Sequence, residues 1–283
     1  MRFGFHISIA GGFSRVVGRA RLRRCDTIQL FSRNPRMWSS PALDEKEAAV
    51  LRKELKEAAI SPVFVHLPYL PNLAARSSPF YRRSVEVLCE DLCRAESLGA
   101  SYVVTHMGNR LRESLEKCLD TLAESIGRAL EEVENGTILL LENTSGQGTQ
   151  IGWRFEEIGA VIRGAGEGER LGVCLDTAHA YGAGYDLSTR EGLDATIEEL
   201  DTFVGLEKLC LLHLNDTQVA LGSRKDRHWH IGKGRIGLEG FRNIVNDPRL
   251  CHLPGIMETP QDHVDEDLEN MSVIRSLVGG PSL

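Results

Sequence analysis

Apolar runs rich in Val, Ile and Leu recur at regular intervals along the 283-residue chain. Each run is short, which is typical of a buried strand. We predict eight strands from these runs: Phe3–Ser8, Thr27–Phe31, Pro62–His66, Tyr102–His106, Thr137–Glu142, Leu171–Asp176, Leu209–Leu214 and Gly255–Glu258.

Between the strands, apolar residues follow the spacing of amphipathic helices. The longest stripe consists of Leu111, Leu115, Leu119, Leu122, Ile126, Leu130 and Val133. Two shorter stripes consist of Val85, Leu88, Leu92 and Ala95, and of Val50, Leu51, Leu55 and Ala58. A last helix is expected over Val264–Leu277.

Buried strands that alternate with helices indicate a parallel sheet covered by helices. Eight such units predict a closed (β/α)₈ TIM barrel, with the whole chain, residues 1–283, forming a single domain. An open doubly wound sheet is the competing architecture. It has less support, because no GxGxxG turn follows the first strand and Gly11-Gly12 alone is only a turn signal.

Charge and cysteine content narrow the class of protein. The formal net charge is −7, so the overall field repels polyanions and membrane surfaces. A nucleic-acid partner would therefore need a local basic patch or bound cations. No apolar stretch is long enough to cross a bilayer, and the N-terminus lacks the apolar segment of a signal peptide. The seven cysteines form no CxxC pair, so we expect reduced thiols in a cytoplasmic protein without membrane contact.

Six consecutive predicted strands carry a histidine or a carboxylate at the C-terminal end. These residues are His66, His106, Glu142, Asp176, His213 and Glu258. His179 follows Asp176 three residues later. In a barrel these strand ends surround one mouth, where active sites lie. A structural role for all six is hard to sustain, because every buried polar group needs its own partner.

This set combines imidazole and carboxylate groups without a thiolate. Such ligands suit Zn²⁺, Mn²⁺ or Fe²⁺ rather than a structural cysteine-type zinc site. There are too many ligands for one ion, so two or three ions are implied, and the central Glu142 could bridge two of them. Paired ions are typical of enzymes that carry out in-line displacement at phosphorus.

Three long segments resemble signatures of the endonuclease IV family. They are Leu141–Gly148, Leu175–Asp186, and His213–Asp216 with Gly222–His228. Their order and spacing also match, and Gly4–Gly12 and the strand with Glu258 extend the resemblance over nearly the whole chain.

The resemblance implies an apurinic/apyrimidinic endonuclease with three zinc ions, one or more of which could be replaced by Mn²⁺. The first ion would be held by His66, His106 and Glu142. Glu142, as the catalytic bridging residue, would share a second ion with Asp176, His213 and Glu258. The third ion would be held by His179, Asp226 and His228, of which the last two are supplied only by the family pattern.

Basic and apolar loop residues are expected at the same mouth. The basic residues are Arg33, Arg36, Arg224, Lys225, Arg227, Lys233 and Arg235, which would contact phosphates without reading the sequence. Wedge candidates are Tyr69-Leu70 and Arg36-Met37-Trp38, and the resemblance favours insertion into DNA by Tyr69 and Arg36. Ordinary loop packing is the alternative, especially for Trp38. We expect His230 to be exposed, and His6, His252 and His263 to be structural or on the surface.

The implied reaction is cleavage of the phosphodiester bond 5′ to an abasic site in duplex DNA, leaving a 3′-hydroxyl and a 5′-deoxyribose phosphate. A 3′-repair phosphodiesterase activity and a monomeric state are also expected. The alternatives are a sugar isomerase or epimerase and a non-catalytic binding barrel. An isomerase would need fewer ligands than this chain offers, and a binding protein should have lost at least one of them.

Overall fold

Eight parallel strands close into a barrel in the computed structural model, which describes residues 1–166, 168–260 and 263–279. The barrel strands are β1 (Arg2–Ile7), β2 (Thr27–Phe31), β3 (Val63–His66), β4 (Tyr102–His106), β5 (Ile138–Glu142), β6 (Leu171–Asp176), β7 (Leu209–His213) and β10 (Pro254–Met257). They neighbour one another in chain order, and β10 pairs with both β7 and β1. The predicted (β/α)₈ barrel is thereby confirmed, and an open sheet is excluded.

A short antiparallel hairpin lies outside the barrel. It pairs β8 (Asp216–Thr217) with β9 (His228–Trp229). No sequence pattern predicted these two strands, since each has only two residues.

Helices cover the outside of the barrel, and one short helix, Thr177–Ala183, lies at its mouth. They are α1 (Val16–Leu22), α2 (Glu45–Glu57), α3 (Tyr81–Leu98), α4 (Leu115–Glu132), α5 (Phe155–Gly164), α6 (Thr177–Ala183), α7 (Arg190–Phe203), α8 (Gly237–Asn246) and α9 (Val264–Leu277). The last of these has the predicted bounds.

The predicted stripe of α4 is wrong at its first residue. The side chain of Ser114 accepts a hydrogen bond from the backbone N–H of Lys117, so the helix begins at Leu115. Leu111 lies before this cap with φ +55° and is half exposed. The stripe of α2 is wrong at Val50, which is 48% exposed although Leu51 and Leu55 are buried.

The core has two parts, because alternate strand residues point to opposite faces. Outward-facing side chains such as Phe5, Leu30 and Val65 pack against the helices in one large cluster. A smaller cluster contains one inward-facing residue from each of six strands: Phe64, Val104, Leu140, Cys174, Leu211 and Ile256.

No helix in the described parts of the chain is long and apolar enough to cross a membrane.

Candidate metal centre

The six predicted strand-end ligands all point into the barrel mouth. Each lies two residues after a member of the inner apolar cluster: His66 after Phe64, His106 after Val104, Glu142 after Leu140, Asp176 after Cys174, His213 after Leu211 and Glu258 after Ile256. Since residues two apart on a strand share a face, the apolar layer forms the floor beneath the ligand layer. Strand periodicity alone therefore brings these six side chains together.

Donor atoms of these residues form three adjoining groups, each with its atoms within 4.8 Å of one another. The groups are His66, His106 and Glu142; Glu142, Asp176, His213 and Glu258; and Asp176, His179 and His228. Glu142 belongs to the first two groups and Asp176 to the last two, so each group shares a carboxylate residue with the next. Asp226 adjoins the third, with carboxylate oxygens 3.3 Å from His179 Nε2 and 3.4 Å from His228 Nε2.

The end of β6 places two of these residues at once. Asp176 is the N-cap of α6, and its Oδ1 accepts a hydrogen bond from the backbone N–H of His179 at 2.7 Å. Asn215, after β7, donates from Nδ2 to Asp176 Oδ2 at 2.7 Å and accepts from the Glu258 backbone N–H at 2.7 Å. One amide thus fixes the relative positions of two candidate ligands from different strands.

The loop that carries Asp226 and His228 is fastened by the buried carboxylate of Asp216. Its two oxygens accept hydrogen bonds from the backbone N–H groups of Thr217, Gly234, Ile236 and Gly237, at 2.8 to 3.3 Å. These bonds close residues 217–236 into a compact loop, and the pairing of β8 with β9 brings His228 to the barrel mouth.

Hydrogen bonds also set which ring nitrogen each histidine presents. A backbone carbonyl accepts from Nδ1 of His66 (Leu67, 2.7 Å), of His179 (Asn143, 2.9 Å) and of His228 (Glu258, 3.1 Å). A carbonyl can only accept, so Nδ1 carries the proton and Nε2 presents a lone pair to the carboxylates. His213 has the opposite tautomer. Its Nε2 carries the proton, because it lies 2.8 Å from the Oε1 of Gln29, and its Nδ1 faces the carboxylates.

These contacts fit divalent cations. In the neutral tautomer, Nε2 of His66 would place its lone pair 3.0 Å from Glu142 Oε2, which is repulsive unless a positive charge lies between them. Glu142 and Asp176 are fully buried, and no Lys or Arg of the described residues pairs with either. Outer hydrogen bonds that orient imidazole ligands are typical of metal sites.

The pKa values show the same demand for positive charge. Burial raises the pKa of the Glu142 carboxyl, but the charges of His106 and His213 outweigh it and hold that pKa well below its usual range. Burial lowers the pKa of His179, but Asp176 together with hydrogen bonds to Asp226 and Glu142 raises it well above its usual value. Without a metal, protons would supply the charge that the carboxylates attract.

Two of the wedge candidates line the cavity at the barrel mouth, whose volume is about 910 Å³. Arg36 and Tyr69 both face it beside the histidines. Tyr69 is 68% exposed and rests edge-on against Phe31, with ring centroids 5.3 Å apart. Leu70 is exposed next to it.

Three predictions about neighbouring residues are wrong. Arg33 is buried, and its guanidinium pairs with Asp91 and Glu90 at 2.7 Å, so it cannot reach a DNA phosphate. His230 is half-buried and lies 3.1 Å from the amide of Asn270 rather than exposed. His6 lines the candidate site, with Nδ1 3.2 Å from Glu258 Oε1.

Trp38 packs against the protein, as expected for ordinary loop packing rather than for a wedge. Its ring stacks on Phe80 with centroids 5.1 Å apart. The predicted basic residue Lys233 forms an ion pair with Glu269 at 2.8 Å.

Sequence reasoning missed His6 and Gln29 at the site. Gln29 is fully buried, and its Nε2 donates to Glu258 Oε1 at 2.6 Å while its Oε1 accepts from His213. Strand alternation could have found His6, because Phe3, Phe5 and Ile7 belong to the outer cluster and leave His6 facing inward.

Comparison with known proteins decides the family. The model of the xylose isomerase-like TIM barrel family matches residues 21–277. A relative from Methanosphaerula palustris named probable endonuclease 4 is 43% identical over 280 residues, covering 98% of both chains. The crystal structure of endonuclease IV from Thermus thermophilus superposes with a TM-score of 0.87 at 37% identity, covering 98% of this chain and 99% of that one.

The chain belongs to the endonuclease IV family. It is accordingly a hydrolase, an apurinic/apyrimidinic endonuclease by family. A D-tagatose 3-epimerase-like protein also superposes, with a TM-score of 0.71 over 98% of this chain and 97% of that one. At 18% identity this likeness shows a shared barrel and nothing about sugar chemistry.

Proposed function

We propose that this endonuclease IV family member is a metal-dependent DNA repair enzyme. It would cleave the phosphodiester bond 5′ to an abasic site in duplex DNA, leaving a 3′-hydroxyl and a 5′-deoxyribose phosphate. The observation that carries the proposal is the convergence of nine candidate ligands into adjoining groups at the barrel mouth. A sugar isomerase would need fewer metal ligands than these nine.

The nine residues would hold three Zn²⁺ ions, with Mn²⁺ able to replace one or more. His66 and His106 would serve the first ion with Glu142, and Asp176, His213 and Glu258 would share the second with that same carboxylate. His179 and His228 would hold the third with Asp226. Ions held there would supply Lewis acidity towards the phosphate, activate water and neutralise developing negative charge.

The protein's own side chains would position the substrate. Tyr69, Leu70 and Arg36 are exposed beside the candidate metal centre, where they can enter the base stack at an abasic step. Opening the stack costs least there, because one base is already missing. Arg224, Lys225 and Arg227 are exposed on the loop that carries Asp226, and would bind backbone phosphates.

Local charge explains how an acidic protein could bind DNA. Three divalent ions would outweigh the four ligand carboxylates Glu142, Asp176, Asp226 and Glu258, making the centre positive. The exposed arginines and lysine around the mouth extend this positive region. A 3′-repair phosphodiesterase activity, a cytoplasmic location and a monomeric state remain predictions.

A duplex with a single abasic analogue tests the function. Metal-replete protein should cut it once, directly 5′ to the lesion, and the new end should prime a DNA polymerase because it is a 3′-hydroxyl. The intact duplex of the same sequence is the control. Absence of incision by fully metal-loaded protein, or cleavage at random positions in both duplexes, would contradict the proposal.

A further inference from the structure

Two arginines from different loops meet on one indole ring at the barrel mouth. The guanidinium carbon of Arg224 lies 3.9 Å from the ring centroid of Trp153, and that of Arg154 lies 4.3 Å from it. Trp153 is half-buried and both arginines are exposed. We refer to these three residues as the indole clamp.

The backbone holds this arrangement in place. Gly146 has φ +76°, and a Cβ there would come within 2.9 Å of Trp153 Cγ, so the indole packs directly against the glycine. Arg224 has φ +52°, which is uncommon for a residue with a side chain, and its backbone N–H donates to Gly182 O at 2.9 Å. Strained residues of this kind cluster at functional sites.

Neither guanidinium of the clamp has a carboxylate within ion-pair distance in residues 1–166, 168–260 and 263–279, whereas Arg33, Arg83 and Arg249 are each paired with acids. Two positive charges thus share one ring without an anion. A guanidinium that stacks by its face keeps the N–H groups of its edge free for hydrogen bonding. Such a planar donor fork fits two oxygens of a phosphate.

The clamp adjoins the candidate metal centre. Gln147, on the loop of Trp153, accepts a hydrogen bond at 3.1 Å from the backbone N–H of Asp226. Arg224 is two residues before Asp226 in the chain. An anion on the clamp would therefore lie on the loops that border the candidate metal centre, on the side of Asp226.

We propose that Trp153, Arg154 and Arg224 form a binding site for a backbone phosphate of the DNA strand that enters the barrel mouth. Trp153 and Arg154 are new assignments, and they give Arg224 a defined partner. The proposal rests on the proposed function, since it takes duplex DNA as the ligand. The indole acts as the platform on which both guanidinium groups rest.

The test is equilibrium binding over a series of salt concentrations. The two probes are an intact duplex and the same duplex with a non-cleavable abasic analogue. Arg154→Ala should weaken binding to both by the same factor, on the order of tenfold for one charge-assisted contact. It should also reduce the slope of log K against log salt by about 0.9.

Trp153→Leu should reproduce much of the loss of DNA affinity seen with Arg154→Ala, although it removes no charge. Trp153→Phe should restore the affinity because an aromatic ring remains. In the Trp153→Leu background, Arg154→Ala should have little further effect. Arg128→Ala, an exposed arginine of α4, is the matched control and should bind like the parent. Circular dichroism confirms that each variant is folded.

Outcomes for the clamp and for the function are separable. If the parent cuts the abasic duplex while Arg154→Ala and Trp153→Leu keep its affinity and salt slope, the clamp is overturned and the function stands. If the variants lose affinity as expected but the parent cuts nothing, the clamp stands and the function is overturned. A parent that neither binds nor cuts DNA overturns both.

Discussion

At the scale of single residues, Glu142 is the side chain on which the proposed metal site depends most. It is fully buried at the end of β5, and its two oxygens contact His66, His106, His179 and His213 within 3.0 to 3.3 Å. No other residue joins the first two donor groups, within the described parts of the chain. In the proposed three-ion site, its loss would disturb two ions together.

Replacing Glu142 by Gln keeps the volume but removes the charge. We expect single-turnover cleavage of an abasic duplex to fall on the order of 10²–10³-fold, the usual effect of removing a group that stabilises transition-state charge. The fold should survive, because the barrel core does not include this side chain. His252→Ala, an exposed residue, is the control and should cut at the parental rate. Near-parental cleavage by Glu142→Gln would show that the site is wrongly assigned.

Gln29 orients two candidate ligands without being one itself. Its amide oxygen fixes the His213 tautomer and its amide nitrogen donates to Glu258. Loss of such an outer contact typically weakens metal affinity by about 10–100-fold. Gln29→Ala should therefore lose metal at lower chelator concentrations than the parent, whereas the exposed Gln218→Ala should not. Equal chelator titrations for both variants would exclude this role.

At the scale of elements, the sequence predicts the strands well because their signal is local. Apolar runs and their period of two place six candidate ligands at the mouth, and every barrel strand begins and ends within one residue of its predicted bounds. Loop residues are different, because Asp226 and His228 reach the site through long-range contacts, which include the bonds of Asp216 to backbone groups up to 21 residues away. The prediction that Arg33 contacts DNA was wrong because long-range contacts are not visible in the local sequence. Its partners Glu90 and Asp91 lie on α3.

A substitution at Asp216 tests whether its hydrogen bonds hold the loop that carries Asp226 and His228 in place. Asp216→Asn replaces one accepting oxygen by an amide N–H₂, which must face backbone donors. Leaving a buried donor without a partner costs about 1–3 kcal/mol. Amide hydrogen exchange should accelerate across residues 217–236 and remain unchanged in the barrel strands. Asp44→Asn, at the N-cap of α2, should leave the exchange of this loop unchanged. Parental exchange in the Asp216 variant would contradict the fastening role.

At the scale of the whole molecule, metal binding and stability should be coupled. The centre concentrates buried carboxylates at one end of the barrel, and ions that bind only the folded state stabilise it by mass action, about 2.7 kcal/mol at a hundredfold excess over Kd. We expect the melting temperature to fall on chelation and to recover on adding Zn²⁺. Calorimetry should show a smaller fall in melting temperature on chelation for Glu142→Gln than for the parent. An identical melting temperature for metal-free and metal-replete parent would contradict this coupling.

The central claim is that this barrel mouth is a multinuclear metal site, and the metal content of the protein tests it most directly. Protein purified without chelator and then saturated with Zn²⁺ would be freed of excess metal and measured by elemental analysis against protein concentration. Nine candidate ligands in adjoining groups predict three ions per chain. A content of one ion or none after saturation would contradict the account.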